Sequence, residues 1–340
     1  MKAVVLVGGE GTRLRPLTET VPKPLLPIVN RPLLHRVLDH LAAYEVHEVV
    51  LSSPYLEESF RPFIAERHGD PAVTWITEAS PLGTGGAIVN ALPHVRDGSF
   101  LVLNGDILTD LDLSALVEFH HERGAAATIT LTDVDDARPF GLVETTEGTR
   151  VQAFQEKPAE AVPGHVNAGT YVLEPGALDA WAAGEVISVE RQIFPALIGR
   201  GLPVHGWPSD AYWMDVGTPQ KYLQAHFDVL DGKVRGLRYP APFLGEGTAV
   251  DLRAHLGRWV VLGDGAAVGP GAEVEDSVLH PNASVGSRAR VTRSILGPGV
   301  LVGAGAAIDD CVLGEGARIA ERVEAAGVKL EPGSRCGEPA

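Results

Sequence analysis

The sequence predicts an α/β domain over residues 1–238, built on a mixed and mainly parallel sheet, followed over 239–340 by a left-handed parallel β-helix of hexapeptide repeats. Three observations carry this. Short apolar runs such as Ala3 to Val7 and Phe100 to Leu103 lead into polar, glycine-bearing loops, and helical spacing follows, as in a parallel sheet with its loops at the strands' carboxyl ends. Around Arg238 to Pro242 charge and helix formers thin out, and Gly, Val and Ala take over. Beyond that point Gly269, Gly286 and Gly303 stand 17 residues apart, as do Val268, Val285 and Val302, and Leu279, Leu296 and Leu313. Small aliphatics recur about every six residues within each repeat, which stacks flat faces into about four coils with glycines at the corners.

The elements follow in order. Ala3 to Val7 is a short β-branched run suited to a central parallel strand. Asn30 and Pro32 open a helix in which Leu33, Leu34, Val37, Leu38 and Leu41 share a face. Val46 to Ser52, Val73 to Ile76 and Phe100 to Leu103 read as further strands, the last two leading into the loops Glu78 to Ala87 and Asn104 to Asp106. From Thr128 the pattern turns to hairpins: Thr128 to Thr132, Gly141 to Glu144, Val151 to Glu156 and Asn167 to Leu173. Ile187 to Arg200 reads as a helix and Val204 to Trp207 as extended; Tyr212 to Pro219 is a turn before a helix from Lys221 to Leu230. His120 and His121 fall on a surface helix, and Cys311 takes the repeat position of Ser277 and Ser294.

A 340-residue chain with 45% hydrophobic and 21% charged residues is an ordinary globular protein long enough for two domains. Lys+Arg 28 against Asp+Glu 44 leaves a net charge of −16, which argues against nucleic acid or an anionic membrane as partner. An anionic small substrate then requires a local basic cluster. Two cysteines and no long apolar stretch fit the reducing cytoplasm.

Leu6 to Pro27, LVGGEGTRLRPLTETVPKPLLP, supplies that cluster with Arg13, Arg15 and Lys23. A phosphate loop of the GxxxxGK[ST] type is excluded, because no Gly-Lys-Ser/Thr follows Gly8 or Gly9. A dinucleotide fingerprint is excluded as well: Leu14 stands at its third glycine, and Pro16 and Pro22 interrupt the helix it needs. The pattern GGxGTRLRPLT followed by PKP instead resembles the sugar-1-phosphate nucleotidyltransferases, the NDP-sugar pyrophosphorylases. The likeness runs the length of the chain: LGTGG from Leu82, LNGD ending at Asp106, EKP from Glu156, NAG from Asn167 and MDVGTP around Asp215 occur in that order.

The resemblance implies a Rossmann-like nucleotidyltransferase domain and a division of labour among these motifs. Leu6, Gly8, Gly9, Gly11, Thr12, Arg13, Gly83, Thr84, Asn104 and Asp106 would hold the nucleotide. Lys23, Gly141, Glu156, Lys157, Asn167 and Gly169 would hold the sugar phosphate. Asp106 and Asp215 would bind Mg²⁺, a hard cation that takes a few carboxylates and completes its shell with phosphates and water. Arg13, Lys23, Asp106 and Asp215 would be catalytic, with Arg13 on the leaving pyrophosphate. The PLGTGGA form of the base loop, together with RLRPLT, the EKP segment and a short β-helix tail, looks most like the guanylyltransferases, so GTP and mannose 1-phosphate are the expected substrates and GDP-mannose the product. Thymidylyl or uridylyl transfer to glucose 1-phosphate, and guanylyl transfer to heptose 1-phosphate, share most of these motifs. Hexapeptide acyltransfer is the rival chemistry, and only His255 and His280 in the coils could serve it. A non-catalytic sugar-nucleotide-binding homologue is the non-enzymatic alternative. Assembly into a homo-oligomer through the β-helix is what the family implies.

Overall fold

The computed structural model describes residues 1–53, 57–66, 69–146 and 149–337. Contacts group the chain into two compact units, Met1–Gly9 with Leu34–Trp213, and Glu10–Leu33 with Met214–Ala340. This division differs from a single break at residue 238, because the arginine-bearing loop and the segment from Met214 onward group with the C-terminal coils.

The chain opens on β1 (Lys2–Leu6), whose Ala3, Val4 and Val5 are fully buried. In the second unit, β2 (Pro27–Ile28) and β3 (Arg31–Pro32) then form a hairpin before α1 (Leu33–Ala43). The first unit continues through β4 (Glu48–Ser53), α2 (Glu57–Glu66), β5 (Ala72–Thr77), α3 (Gly83–Val95), β6 (Phe100–Asn104), β7 (Ile107–Thr109) and α4 (Leu113–Glu122). It then runs through β8 (Ala127–Val134), β9 (Gly141–Thr145), β10 (Val151–Glu156), β11 (Gly164–Leu173), α5 (Phe194–Gly199) and β12 (Val204–Pro208). Its sheet has the order β10-β9-β11-β6-β1-β4-β5, with β8 beside β11 and β12 beside β8. The central strands β6, β1, β4 and β5 are parallel, and β11 enters antiparallel to β6. Leu6 is in register with Asn104 on one side and Ser52 on the other, so the loops after β1, β4 and β6 leave one edge of the sheet.

Two local expectations are corrected. His120 is buried rather than on the surface: its ring lies 2.9 Å from Thr128 Oγ1 and 3.2 Å from Glu174 Oε1, and burial pushes its pKa down. The expected helix from Ile187 to Arg200 is two pieces, a π-turn Val189–Ile193 and then α5. Pro195 in the first turn of α5 has no N–H to continue the preceding ladder.

In the second unit β13 (Trp213–Asp215) reaches its Asp215 end and α6 (Pro219–Leu230) follows, N-capped by Thr218, whose hydroxyl accepts from Lys221 N. The remaining strands stack in three parallel sheets of six, six and five strands, as in a left-handed β-helix. That is more than the four coils the 17-residue period reveals. The first coil escapes the period because its step is 18, from Ala249 to Ala267. The last is obscured by Lys329 and Arg335, which are exposed at their strand positions. Inside, the aliphatics of the repeat form one buried column, from Val260 and Leu262 to Ala317 and Ile319.

The repeated glycines serve two purposes. Corners at a left-handed φ include Gly265, Asn282, Gly299, Gly316 and Gly333, and likewise Asp276, Arg293, Asp310 and Gly327, and Gly271, Arg288, Gly305 and Arg322. Gly269, Gly286 and Gly303 are instead points of close approach, where a Cβ on Gly303 would lie 2.5 Å from Glu321 N in the next coil. Gly299, at φ +66, has open space around its missing Cβ. Gly303→Ala should therefore destabilise the chain by about 1–3 kcal/mol through backbone displacement. Gly299→Ala should cost only the left-handed strain of about 1 kcal/mol. Thermal unfolding of both variants checks this; an equal or reversed order would refute the close-approach reading.

Candidate active site

The first unit carries the predicted nucleotide-side residues Leu6, Gly8, Gly9, Gly83, Thr84, Asn104 and Asp106. Gly105 N donates to Leu6 O at 2.9 Å, which staples the turn before Asp106 onto the end of β1. A Cβ on Gly105 would sit 2.9 Å from that same oxygen, so the LNGD turn needs its glycine. Gly9 is exposed, with nothing within 4 Å of a would-be Cβ, leaving its backbone open.

The loop before α3 is braced by a residue the sequence reading missed. Glu78 is 4% exposed; its carboxylate accepts from Ser52 Oγ at 2.9 Å and from Leu82 N at 3.0 Å. The glycines that follow are also required by packing: Gly85 N and Gly86 N both donate to Ile187 O, and a Cβ on Gly83, at φ +71, would meet that oxygen at 2.7 Å. Thr84 Oγ1 donates to Glu190 Oε2 at 2.7 Å and accepts from Val189 N at 3.0 Å. Its hydroxyl proton is thus committed to Glu190, the second residue missed. The hint of Glu190 in the chain is Pro195, five residues on, which divides the expected helix and leaves Glu190 in a π-turn of a kind that recurs at functional sites.

The predicted sugar-side residues also gather in this unit. Gly141 faces Glu156 across the β9–β10 pair, and a Cβ there would lie 3.0 Å from Glu156 Oε2. Lys157, at φ +52, is anchored through its N to Phe140 O; its ammonium stands 3.7 Å from Glu156 Oε1 and is well exposed. Glu156 has its pKa raised by burial and by the charge of Glu190. Asn167 donates to the Tyr171 hydroxyl at 2.7 Å and accepts from Gly169 N at 2.9 Å. A Cβ on Gly169, at φ +74, would strike Ile107 and Asn104, so this glycine brings the two motifs together. Trp213 closes the group, its indole N–H on Ala168 O at 2.8 Å and its ring edge-on to Phe140. Tyr171 is fully buried; burial first, and then the charges of Glu190, Glu156 and Asp106, push its pKa well above the usual range. A buried phenol with three carboxylates in its field is a polar centre rather than inert core.

The second unit carries Gly11, Thr12, Arg13, Lys23 and Asp215. Gly11, at φ +63, caps the 3₁₀ turn Thr12–Leu14, and its carbonyl accepts from Thr18 Oγ1 at 2.8 Å. A Cβ on Gly11 would crowd Thr18 and Lys23, so the glycine lets the loop fold tightly against the lysine turn. Buried Leu14 anchors the turn while Arg13 points outward. Lys23 is only 6% exposed, and its ammonium lies 3.7 Å from Asp215 Oδ1. Lys221 Nζ stands 3.8 Å from the other oxygen, Oδ2. Around Gly217 the Arg13 guanidinium and the Asp215 carboxylate converge, since a Cβ there would lie 2.8 Å from Arg13 Nη2 and 3.1 Å from Asp215 Oδ1. Lys221 is the third residue missed. A lysine in the first turn of a helix opposes the helix dipole, and that conflict was the available signal of a nearby anion.

Among the described residues no group of three or more His, Cys, Asp or Glu could hold a metal by itself. Taken singly, Asp106 in the first unit and Asp215 in the second are hard oxygen donors of the kind Mg²⁺ takes.

A profile of the nucleotidyl transferase family matches residues 2–232, and one described as the GMPPB C-terminal domain matches 240–335. The chain belongs to the nucleotidyl transferase family and is an enzyme of that class. Among its relatives it is 38% identical over 295 residues to the mannose-1-phosphate guanylyltransferase of Mycobacterium tuberculosis, covering 83% of this chain and 80% of that one. It is 35% identical over 303 residues to mannose-1-phosphate guanylyltransferase 1 of Arabidopsis thaliana, covering 86% and 83%. The crystal structure of HddC from Yersinia pseudotuberculosis complexed with GMP-PN superposes with a TM-score of 0.59 at 29% identity, covering 67% of this chain and 99% of that one. No helix among the described residues is long and apolar enough to cross a membrane.

Proposed function

We propose that this chain transfers a guanylyl group from GTP to mannose 1-phosphate, giving GDP-mannose and pyrophosphate. The observation that carries the reading is the identity to mannose-1-phosphate guanylyltransferases over more than four-fifths of the chain. The guanine nucleotide analogue in the HddC structure supports the choice of base.

A sugar phosphate oxygen is already an anionic nucleophile, so the reaction needs no serine, cysteine or histidine base. That oxygen bonds to the α-phosphorus, the α–β phosphoanhydride breaks, and pyrophosphate leaves with the electron pair. The barrier is repulsion between polyanions, and the chain's cations answer it. Arg13, exposed and beside Gly217, neutralises the departing pyrophosphate. Lys23 and Lys157 hold the sugar phosphate in line, while Glu156, Asn167, Gly141 and Gly169 orient the sugar. Leu6, Gly8, Gly9, Gly11, Thr12, Gly83, Thr84 and Asn104 shape the nucleotide side. Asp106 and Asp215 would hold Mg²⁺, which when bound would supply further charge neutralisation.

The catalytic domain in this reading is 1–238 and the β-helix domain 239–340. Assembly through the latter into a homo-oligomer belongs to the same reading, on the family likeness alone. The two free cysteines favour the cytoplasm.

Pyrophosphate release from each of four NTPs with mannose, glucose or heptose 1-phosphate, with and without Mg²⁺, tests the proposal. GTP with mannose 1-phosphate and Mg²⁺ should give the highest kcat/KM. Preference for dTTP or UTP with glucose 1-phosphate would overturn the specificity, and no release from any pair would overturn the activity.

A further inference from the structure

One position of the β-helix breaks its own rule. Gly263, Gly297 and Gly314 hold the same place in their coils, each N–H donating to the next coil's carbonyl, at Leu279, Leu313 and Leu330. A Cβ at any of the three would lie 2.5–2.9 Å from backbone atoms of the following coil. Between Gly263 and Gly297 the same place, with the same bond to Leu296 O, is taken by His280. A large residue at a glycine position calls for a reason outside the repeat.

The reason lies on α6. His280 is 4% exposed and its Nε2 stands 3.0 Å from the hydroxyl of Tyr222, itself fully buried. That hydroxyl donates its one proton to Pro27 O at 2.5 Å, because a carbonyl can only accept. Toward His280 the phenol oxygen must therefore accept, which places a proton on Nε2. Burial lowers the His280 pKa to about 4, so the ring is the neutral donor this arrangement needs.

The chain end of this relay is the β2–β3 hairpin, whose two turn residues are strained. Val29 and Asn30 sit at φ 47 and 55, a conformation a β-branched valine rarely adopts. Such strain persists only where surroundings enforce it. Val29 N donates to His226 Nδ1 on α6 at 3.2 Å, and Asn30 Nδ2 donates to Asp264 Oδ1 on the β-helix at 2.9 Å. Pro27, Val29 and Asn30 of the hairpin are thus each held from α6 or the coils. It abuts the lysine turn directly: Leu26 N donates to Lys23 O, and Leu33 N to Leu26 O.

We propose that His280 and Tyr222 are positioning residues for Lys23: together they set the β2–β3 hairpin, and through it the lysine turn, in the register that the sugar phosphate requires. This rests on the reading of Lys23 as a sugar-phosphate ligand. The β-helix then contributes to substrate binding through one coil position.

The test is steady-state kinetics of the full chain with GTP and mannose 1-phosphate, together with thermal unfolding. Tyr222→Phe and His280→Gly, the latter restoring the residue of the other coils, should each raise the KM for mannose 1-phosphate about five- to tenfold, the scale of one buried hydrogen bond. The KM for GTP should stay within about twofold, the double variant should be no worse than the weaker single one, and His280→Gln, which keeps an N–H donor, should recover most of the loss. A lowered Tm with both KM values unchanged, or equal rises in both, would overturn the proposal. Lys23→Ala separates the two levels. If it leaves the mannose 1-phosphate KM unchanged, the site reading fails and this inference with it. If it raises that KM while the Tyr222 and His280 variants do not, this inference alone is wrong.

Discussion

Asp106→Ala is expected to lower kcat by at least about 10²-fold, the cost of losing one preorganised charge in a site that stabilises a polyanionic transition state. The loss should be catalytic rather than structural. The turn that carries Asp106 is pinned by its backbone, through Gly105 N to Leu6 O, and by the closeness of Gly105 to β1, neither of which the substitution touches. The melting temperature should therefore stay close to that of the parent. Removing a metal carboxylate should also raise the Mg²⁺ concentration needed for half-maximal rate, a readout that damage elsewhere would not reproduce. Pyrophosphate release at several Mg²⁺ concentrations checks both, and a near-parental rate would remove Asp106 from the proposed chemistry.

Arg13→Ala should cost a similar factor, about 10²-fold in turnover, for a different reason. Arg13 is exposed on a turn whose anchor is its neighbour Leu14, so truncating it removes charge without opening the core. A group that neutralises the departing pyrophosphate acts on the same anion when it arrives in the reverse direction. The variant should accordingly show a raised KM for pyrophosphate in pyrophosphorolysis of GDP-mannose, with the KM for mannose 1-phosphate little changed in synthesis. Lys23→Ala should show the opposite pattern together with a lower Tm, because Lys23 is buried against Asp215. An Arg13 variant with unchanged pyrophosphate affinity would detach that role from this residue.

The parts of this protein legible in its sequence are those whose physics is local. A strand of five apolar residues ending in glycines, a 17-residue period of aliphatics, and turns that need glycine at Gly83, Gly105 and Gly169 all announce themselves within a few positions or one repeat. The motifs from Gly8 to Asp215 could be read in order for the same reason: each is a short contiguous stretch of sequence. What tertiary structure alone decided is pairing across distance. Glu78 braces Leu82 only because β4 lies beside β5 and brings Ser52 to it. Thr84 is committed to Glu190, 106 residues away. Lys221 faces Asp215 although the helix dipole alone would disfavour a lysine there. The same holds for the glycines at Gly269, Gly286 and Gly303, whose period was plain while their purpose, close approach of coil to coil, appeared only once the coils were stacked. His280 stood out in the chain merely as a possible acyltransfer base, and the fold made it the donor to a phenol that holds Pro27. Periodicity and turn chemistry are written residue by residue, whereas a hydrogen bond between groups 58 or 195 positions apart exists only after burial has brought them together and excluded the water that would otherwise take their place.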